Sequence, residues 1–327
     1  MKRICITILL FLLLVKTACM AQDAHMSQFY ASPVSINPAT TGMYDGNYKI
    51  FFQHRTQWRA ALNDPYVTEN IAFDKPTNKR YKYGALLSNT KAGMGGFNTM
   101  NVLLSGSYEI TIDPSGIHNL TTGLQLGIVY KHLNINDLTF ENQYTTLSGG
   151  GFDKNIASGE TFTTSSIVTP KANAGVYYYY NDVSSKFKPY CGIAGFNLNA
   201  PKESFMGQTV RTPMRFLMNA GVKYQINEIV SVHPMMLYMR QAKVNEFNPG
   251  FLVHYFMKES NVYVYGGPYY RWKDAISMHF GLIYRDYTLG FSYDINNSVL
   301  NAVTNGRGAF EVSLLYTRQK SKFVPSF

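Results

Sequence analysis

Hydrophobic and polar residues alternate one by one along most of the chain, most clearly from Ile276 to Thr317. Tyr287, Leu289, Phe291, Tyr293 and Ile295 fall on one face, and Thr288, Gly290, Ser292 and Asp294 on the other. Phe310, Val312, Leu314 and Tyr316 likewise oppose Ala309, Glu311, Ser313 and Thr317. Successive side chains of a strand point to opposite faces, so each run predicts a ribbon with one apolar and one polar surface. Leu124, Leu126, Ile128 and Tyr130 oppose Gly123, Gln125, Gly127 and Lys131 in the same way, and Met218, Ala220, Val222 and Tyr224 oppose Asn219, Gly221, Lys223 and Gln225. Lys and Gln sharing a face with Gly predicts a polar lumen rather than a packed core.

The pattern predicts about fourteen strands, at roughly 48–58, 66–74, 82–90, 98–112, 119–134, 174–181, 187–198, 213–226, 229–239, 247–257, 262–270, 275–285, 287–296 and 309–317. An even number suits a single-chain bacterial barrel with both ends on one side. The connections add a second signal. The even-numbered ones, including Lys75-Pro76, Asp113 to Gly116, Asn181-Asp182, Asn227-Glu228, Lys258 to Ser260 and Arg285-Asp286, are all short. The odd-numbered ones include 135–173, 199–212, 240–246 and 297–308 and are mostly longer. Short turns at one end and long loops at the other predict an all-β transmembrane antiparallel barrel. The longest loop, Ile135 to Asn173, carries Gly149-Gly150-Gly151 and a Ser/Thr-rich tract, which predicts a mobile or partner-facing segment.

Residues 22–47 break the pattern. Pro33, Pro38, Thr40-Thr41-Gly42 and Asp45-Gly46 predict irregular structure, because Pro removes a ladder donor and Gly favours turns. Phe29, Tyr30, Val34, Ile36 and Met43 are too apolar for a solvated tail, so the segment is expected to pack inside the barrel or at its periplasmic mouth. Residues 1–21, with Lys2-Arg3, an apolar stretch and a small-residue exit ending at Ala21, predict a signal peptide for export. Barrel strands are then expected over 48–317 and a periplasmic C-terminal tail over 318–327.

Composition agrees. Charged residues make up 15% of the chain and aromatic residues 15%, with 25 tyrosines, against about 25% charged residues in an ordinary soluble domain. Rings with a polar tip suit a membrane interface. Loss of the signal would remove Cys5 and Cys19 and leave only Cys191, so no internal disulfide is expected. It would also take the formal charge from +10 to +7 by removing Lys2, Arg3 and Lys16. The remaining basic residues are scattered, which predicts no nucleic-acid partner.

No catalytic, cofactor or metal motif is found, so no cofactor is expected. His25, His54, His118, His132, His233, His254 and His279 are dispersed, with no carboxylate at a fixed offset to orient a base. A surface hydrolase would need a Ser or Asp beside one of them. Three clusters stand out instead. The first is Ser27-Gln28-Phe29-Tyr30 with Asn37-Pro38. The second is His54 to Trp58, where Arg55 and Gln57 share the face opposite Trp58. The third joins Arg285-Asp286, Asp294 to Ser298 with Asn297 among them, and Gly306 to Glu311 with Arg307 among them. Lumenal ion pairs of Arg55, Asp294 and Glu311 holding the N-terminal segment are favoured over a docking surface, since buried charges persist mainly when paired.

These same stretches resemble the PorP/SprF family of outer-membrane proteins of the type IX secretion and gliding machinery of Bacteroidetes. The resemblance is carried by HMSQFYASPVSINPATTG, HRTQW, KYGALLSNTKAG, LQLGIVYKHLNINDLTFENQ, GLIYRDYTLGFSYDINNSVL and GRGAFEVSLLY, in family order and over nearly the whole chain after the signal. It implies a barrel in outer-membrane lipid, without enzymatic activity. Such a barrel works with periplasmic secretion components or holds a secreted protein at the cell surface through that protein's C-terminal domain. The rival expectation is a transporter of small hydrophobic molecules with residues 22–47 as a hatch, whose signature would be a continuous apolar pocket from outside to the lumen wall.

Overall fold

A computed structural model describes residues 25–319 apart from 61, 63, 114, 147–149, 209, 299 and 300. The predicted signal peptide and residues 320–327 of the predicted tail lie outside the described residues. Among the described residues eighteen strands run in chain order. They are β1 (Tyr48–Gln57), β2 (Tyr66–Lys75), β3 (Tyr81–Ala92), β4 (Phe97–Thr111), β5 (His118–His132), β6 (Tyr144–Thr145), β7 (Gly151–Phe152), β8 (Ser166–Tyr180), β9 (Phe187–Phe196), β10 (Lys202–Glu203), β11 (Val210–Arg211), β12 (Arg215–Gln225), β13 (Val230–Gln241), β14 (Val244–Met257), β15 (Val262–Arg271), β16 (Ala275–Tyr284), β17 (Tyr287–Asn296) and β18 (Arg307–Arg318).

Fourteen of them form one closed antiparallel barrel in sequential order, sealed where β1 pairs with β18. Closure gives every barrel strand a neighbour on each side, as hydrocarbon surroundings demand. The other four make two small hairpins, β6 with β7 and β10 with β11, inside the long connections. Among the described residues no helix is long and apolar enough to cross a membrane.

The register puts the predicted faces where the alternation places them. Leu104, Leu124, Leu126, Ile128, Ile193, Phe216, Phe280 and Phe291 point outward and are exposed. Gln53, Gln125, Asn173, Asn219, Asn248, Ser277 and Ser313 point inward and are buried. An apolar outer band around a polar interior is the membrane-barrel arrangement. Exposed Tyr81, Tyr83, Tyr108, Tyr224, Tyr255, Tyr284 and Tyr287 gather at the end of the barrel carrying the short turns, as an interfacial girdle does. Cys191 faces outward from the middle of β9.

Two predicted connections are corrected. The segment 240–246 is not a long loop: β13 and β14 run on to Gln241 and Val244, leaving only Ala242-Lys243, with Ala242 at φ +52°. The strand predicted at 174–181 begins eight residues earlier, at Ser166, so the longest loop shortens to 133–165. Pro170 broke the sequence pattern there. The structure tolerates it because this part of β8 pairs with β5 while its pairing with β9 covers only Ala174 to Tyr179, so Pro170 stands on a free edge. The six turn-end connections span at most six residues, whereas the loop end carries 133–165 and 197–214.

Candidate functional site

The N-terminal segment runs through the lumen. It contains a single turn of α-helix, Pro33–Ile36, between two short 3-10 turns, Phe29–Ala31 and Pro38–Thr40. Its chain enters near the loop end, crosses the interior and leaves at the turn end, where the Asn47 amide donates to the Arg318 carbonyl at 2.6 Å and β1 begins.

At the loop end a buried ion cluster holds it. Arg55 in β1 and Glu311 in β18 are direct cross-strand partners and form an ion pair. The Glu311 carboxylate also accepts the backbone amides of Ser27 at 2.6 Å and Gln28 at 2.9 Å, and the Gln53 amide at 3.1 Å. Asp294 in β17 accepts from Arg55 Nη2 and Arg271 Nη2, both at 3.0 Å, and from the Ser27 hydroxyl at 2.8 Å. Both guanidinium groups in turn donate to Ser27 Oγ, at 2.7 and 3.1 Å. Ser313 donates to Gln28 Oε1 at 2.7 Å. Two cations, two anions and the start of the segment thus pair with one another, the condition under which buried charge is tolerated.

Below the cluster, Phe29 packs edge-on against Tyr269 at 5.5 Å, in a core with Leu217, Leu237, Met239 and Leu252. The Tyr30 hydroxyl bonds His279 Nδ1 at 3.0 Å. Val34 enters a second core with Phe51, Ala72, Leu86 and Leu103. Asn37 then does two things. Its Oδ1 accepts the Ala39 amide at 3.0 Å, capping the turn that Pro38 opens, and its Nδ2 donates to the carbonyls of Val176 at 3.0 Å and Ile193 at 3.4 Å.

The wall makes room with glycines. A Cβ at Gly175 or Gly192 would stand 2.0 or 2.6 Å from the Asn37 amide, and one at Gly123 would stand 2.3 Å from the backbone of Pro38 and Ala39. At the turn end, the Gly42 amide donates to Asp74 at 2.8 Å, and Lys49 Nζ lies 3.2 Å from the same carboxylate.

Ser27, Gln28, Arg55, Asp294 and Glu311 are therefore brought together, with Phe29, Tyr30, Asn37 and Pro38 continuing along one lumenal path. The other predicted residues are not part of it. Trp58, at φ +59°, leaves the strand at the loop end and packs on Tyr66 at 5.1 Å. Arg285 and Asp286 lie at the opposite end of β17 from Asp294, so the third cluster is split by the full length of a strand; Arg285 covers the Tyr284 ring, and Asp286 lies 3.6 Å from Arg318. Asn297 bonds the Asp274 carbonyl in the loop, and Arg307 is exposed beside the bulge at Asp294 and Ile295. Sequence reading missed Arg271, Gln53, Ser313 and Asp74. Arg271 ends an apolar run and reads as rim decoration until β15 is placed beside β16 and β17.

Two solved barrels of similar fold are a toluene transporter and a monoaromatic hydrocarbon channel. The Ralstonia pickettii toluene transporter TbuX is 13% identical, with TM-score 0.53, covering 88% of this chain and 94% of that one. A deltaS2S3 mutant of the TodX monoaromatic hydrocarbon channel is 12% identical, with TM-score 0.51 and the same coverages of 88% and 94%. At such identities the likeness concerns the fold alone. No curated protein matches the sequence significantly. The sequence model of the type IX secretion system membrane protein PorP/SprF matches residues 18–316. Matched over nearly its whole length, and folded as a closed barrel with an apolar outer band, the chain belongs to the PorP/SprF family of type IX secretion system membrane proteins.

Proposed function

We propose that the protein is a non-enzymatic scaffold of type IX secretion and gliding in a Bacteroidetes outer membrane, anchoring or helping to export a secreted surface protein. The long loops capture that protein non-covalently through its C-terminal domain. The short turns and the C-terminal tail face periplasmic secretion components. The family match is the observation that carries this reading. The seated N-terminal segment supports it, because a lumen crossed by residues held at both ends suits a docking platform better than an open conduit.

The test is mild extraction of the tagged protein from its native outer membrane, with mass spectrometry of what co-purifies. A secreted protein retained through its C-terminal domain, or periplasmic secretion components, is expected. A barrel carrying only lipid, from cells whose secretion survives deletion of the gene, would overturn the reading.

The transporter alternative has one observation on its side. A shallow, open depression of about 460 Å³ lies on the outer wall over β14, β15 and β16, lined by Val253, Val264, Gly266, Phe280 and Gly281 with Tyr265 at its floor. Uptake of an apolar solute that is lost on deletion, with secretion unchanged, would favour that alternative.

A further inference from the structure

Charge is matched around most of the lumen. Lys49, Arg55, Lys82 and Arg271 each face a carboxylate. One pair is different. Lys188 in β9 and Lys223 in β12 are direct cross-strand partners, and both point inward. Like charges set opposite each other on neighbouring strands repel. Among the described residues no carboxylate lies within ion-pair distance of either. Glu109, on β4, is engaged by Lys82 and by the Tyr179 hydroxyl.

The surroundings are aromatic and add no negative charge. Beyond Lys223 come His233 and His254, stacked with centroids 4.3 Å apart, and then Tyr265, 5.1 Å from His254. On the β8 and β9 side Tyr177 stacks on Tyr190 at 5.9 Å. Tyr30 and Ile36 of the N-terminal segment, with Met235 and Ile283 of the wall, pack against the buried cluster that contains Tyr265. Lys188, Tyr190 and Lys223 keep partial exposure while His233, His254 and Tyr265 are buried, and Lys188 and Lys223 stand within three residues of the turn ends of β9 and β12, so the cluster is reached from the turn end.

We propose that this cluster binds the anionic head, carboxylate or phosphate, of a ligand carrying a flat ring that enters from the turn end. Two ammonium groups on adjacent strands bracket a single anion and relieve each other's repulsion by sharing it. Tyr177 and Tyr190 on one side and His233 and His254 on the other offer ring faces and edges for stacking. The proposal does not rest on the scaffold reading, because neither the loops nor the secretion partners take part.

The test uses the purified full-length barrel in detergent, with phenylphosphate, benzoate and neutral benzamide as probes. Lysines are acetylated with a water-soluble reagent and each site is quantified by mass spectrometry. Protection should follow mass action, so labelling of Lys188 and Lys223 falls about tenfold once an anionic probe reaches about ten times its Kd, while Lys79 and Lys258 are unchanged. Stronger protection by phenylphosphate identifies a phosphate ligand, and stronger protection by benzoate a carboxylate. A Lys188→Gln, Lys223→Gln double variant should lose the probe-induced rise in Tm shown by the parent; if it does not fold, the labelling of the parent decides alone. Equal labelling with and without millimolar anion overturns the site. Equal protection by benzamide overturns the anionic head, and equal protection by inorganic phosphate overturns the ring and leaves an adventitious ion only.

Discussion

The Glu311 carboxylate accepts the backbone amides of Ser27 and Gln28, joining residues 284 and 283 positions apart in the chain. Glu311 stands on the last strand, opposite Arg55 on the first. The grip on the N-terminal segment is therefore assembled only when β18 closes on β1, which makes seating of the segment a report on ring closure.

Glu311→Gln should loosen the segment without opening the barrel. Removing one partner of a buried pair costs about 3–5 kcal/mol, because the other charge is left behind. Limited proteolysis is expected to cut within residues 25–47 of the variant while its barrel keeps the heat-modifiable gel shift of the parent. In Arg55→Met, Glu311→Met much of the barrel's own loss should be recovered, since replacing both partners by apolar groups is often nearly neutral, while residues 25–47 stay open to protease because the Ser27 and Gln28 amides have lost their acceptor. Additive destabilisation in the double variant would contradict this account.

Gly123→Leu should displace the 3-10 turn at Pro38–Thr40. Its Cβ alone would lie 2.3 Å from the Ala39 amide nitrogen. Gly106→Ala is the control, because the nearest atom to its Cβ is 3.9 Å away. The expected readout is raised ion conductance in planar bilayers for Gly123→Leu and parental conductance for Gly106→Ala.

Deleting residues 26–41 should leave a folded barrel with a water-filled lumen. The inward-facing Gln53, Gln125, Asn173 and Asn219 would then meet water, which satisfies them. Conductance should exceed that of the parent, and the heat-modifiable shift should persist. Loss of the shift would mean that the segment is needed to form the barrel and does more than fill it.

Leu126→Arg tests the outer face. Leu126 is 58% exposed on the outward side of β5, and a basic residue on the lipid face near the bilayer midplane costs about 2–4 kcal/mol. Slower assembly into lipid vesicles and a lower unfolding midpoint are expected. Lys131, at the loop end of the same strand, should tolerate exchange for Arg, since it already pairs with Glu203 at 2.5 Å.

How much of the site was legible depended on what kind of signal each residue carries. Arg55, Asp294 and Glu311 could be read as inward from parity alone, and irregular structure within residues 22–47 could be read from Pro33, Pro38 and Gly42. Arg285 and Asp286 were misgrouped because they are near Asp294 in sequence, while a strand carries the chain away from them across the barrel. The loop at 240–246 was misread because Ala242-Lys243 contains neither Gly nor Asn to announce a turn.

What the sequence determined by itself is the period of two: with it come the strand number, the outward and inward faces, and the closed barrel that unsatisfied strand edges require in lipid. Tertiary structure alone decided which inward residues meet. Alternation specifies a face but not a partner, and Ser27, Arg55, Arg271, Asp294 and Glu311 come from distant parts of the chain. Only the cross-strand register and the closure of β1 on β18 bring them within hydrogen-bonding distance, just as only the register sets Lys188 against Lys223.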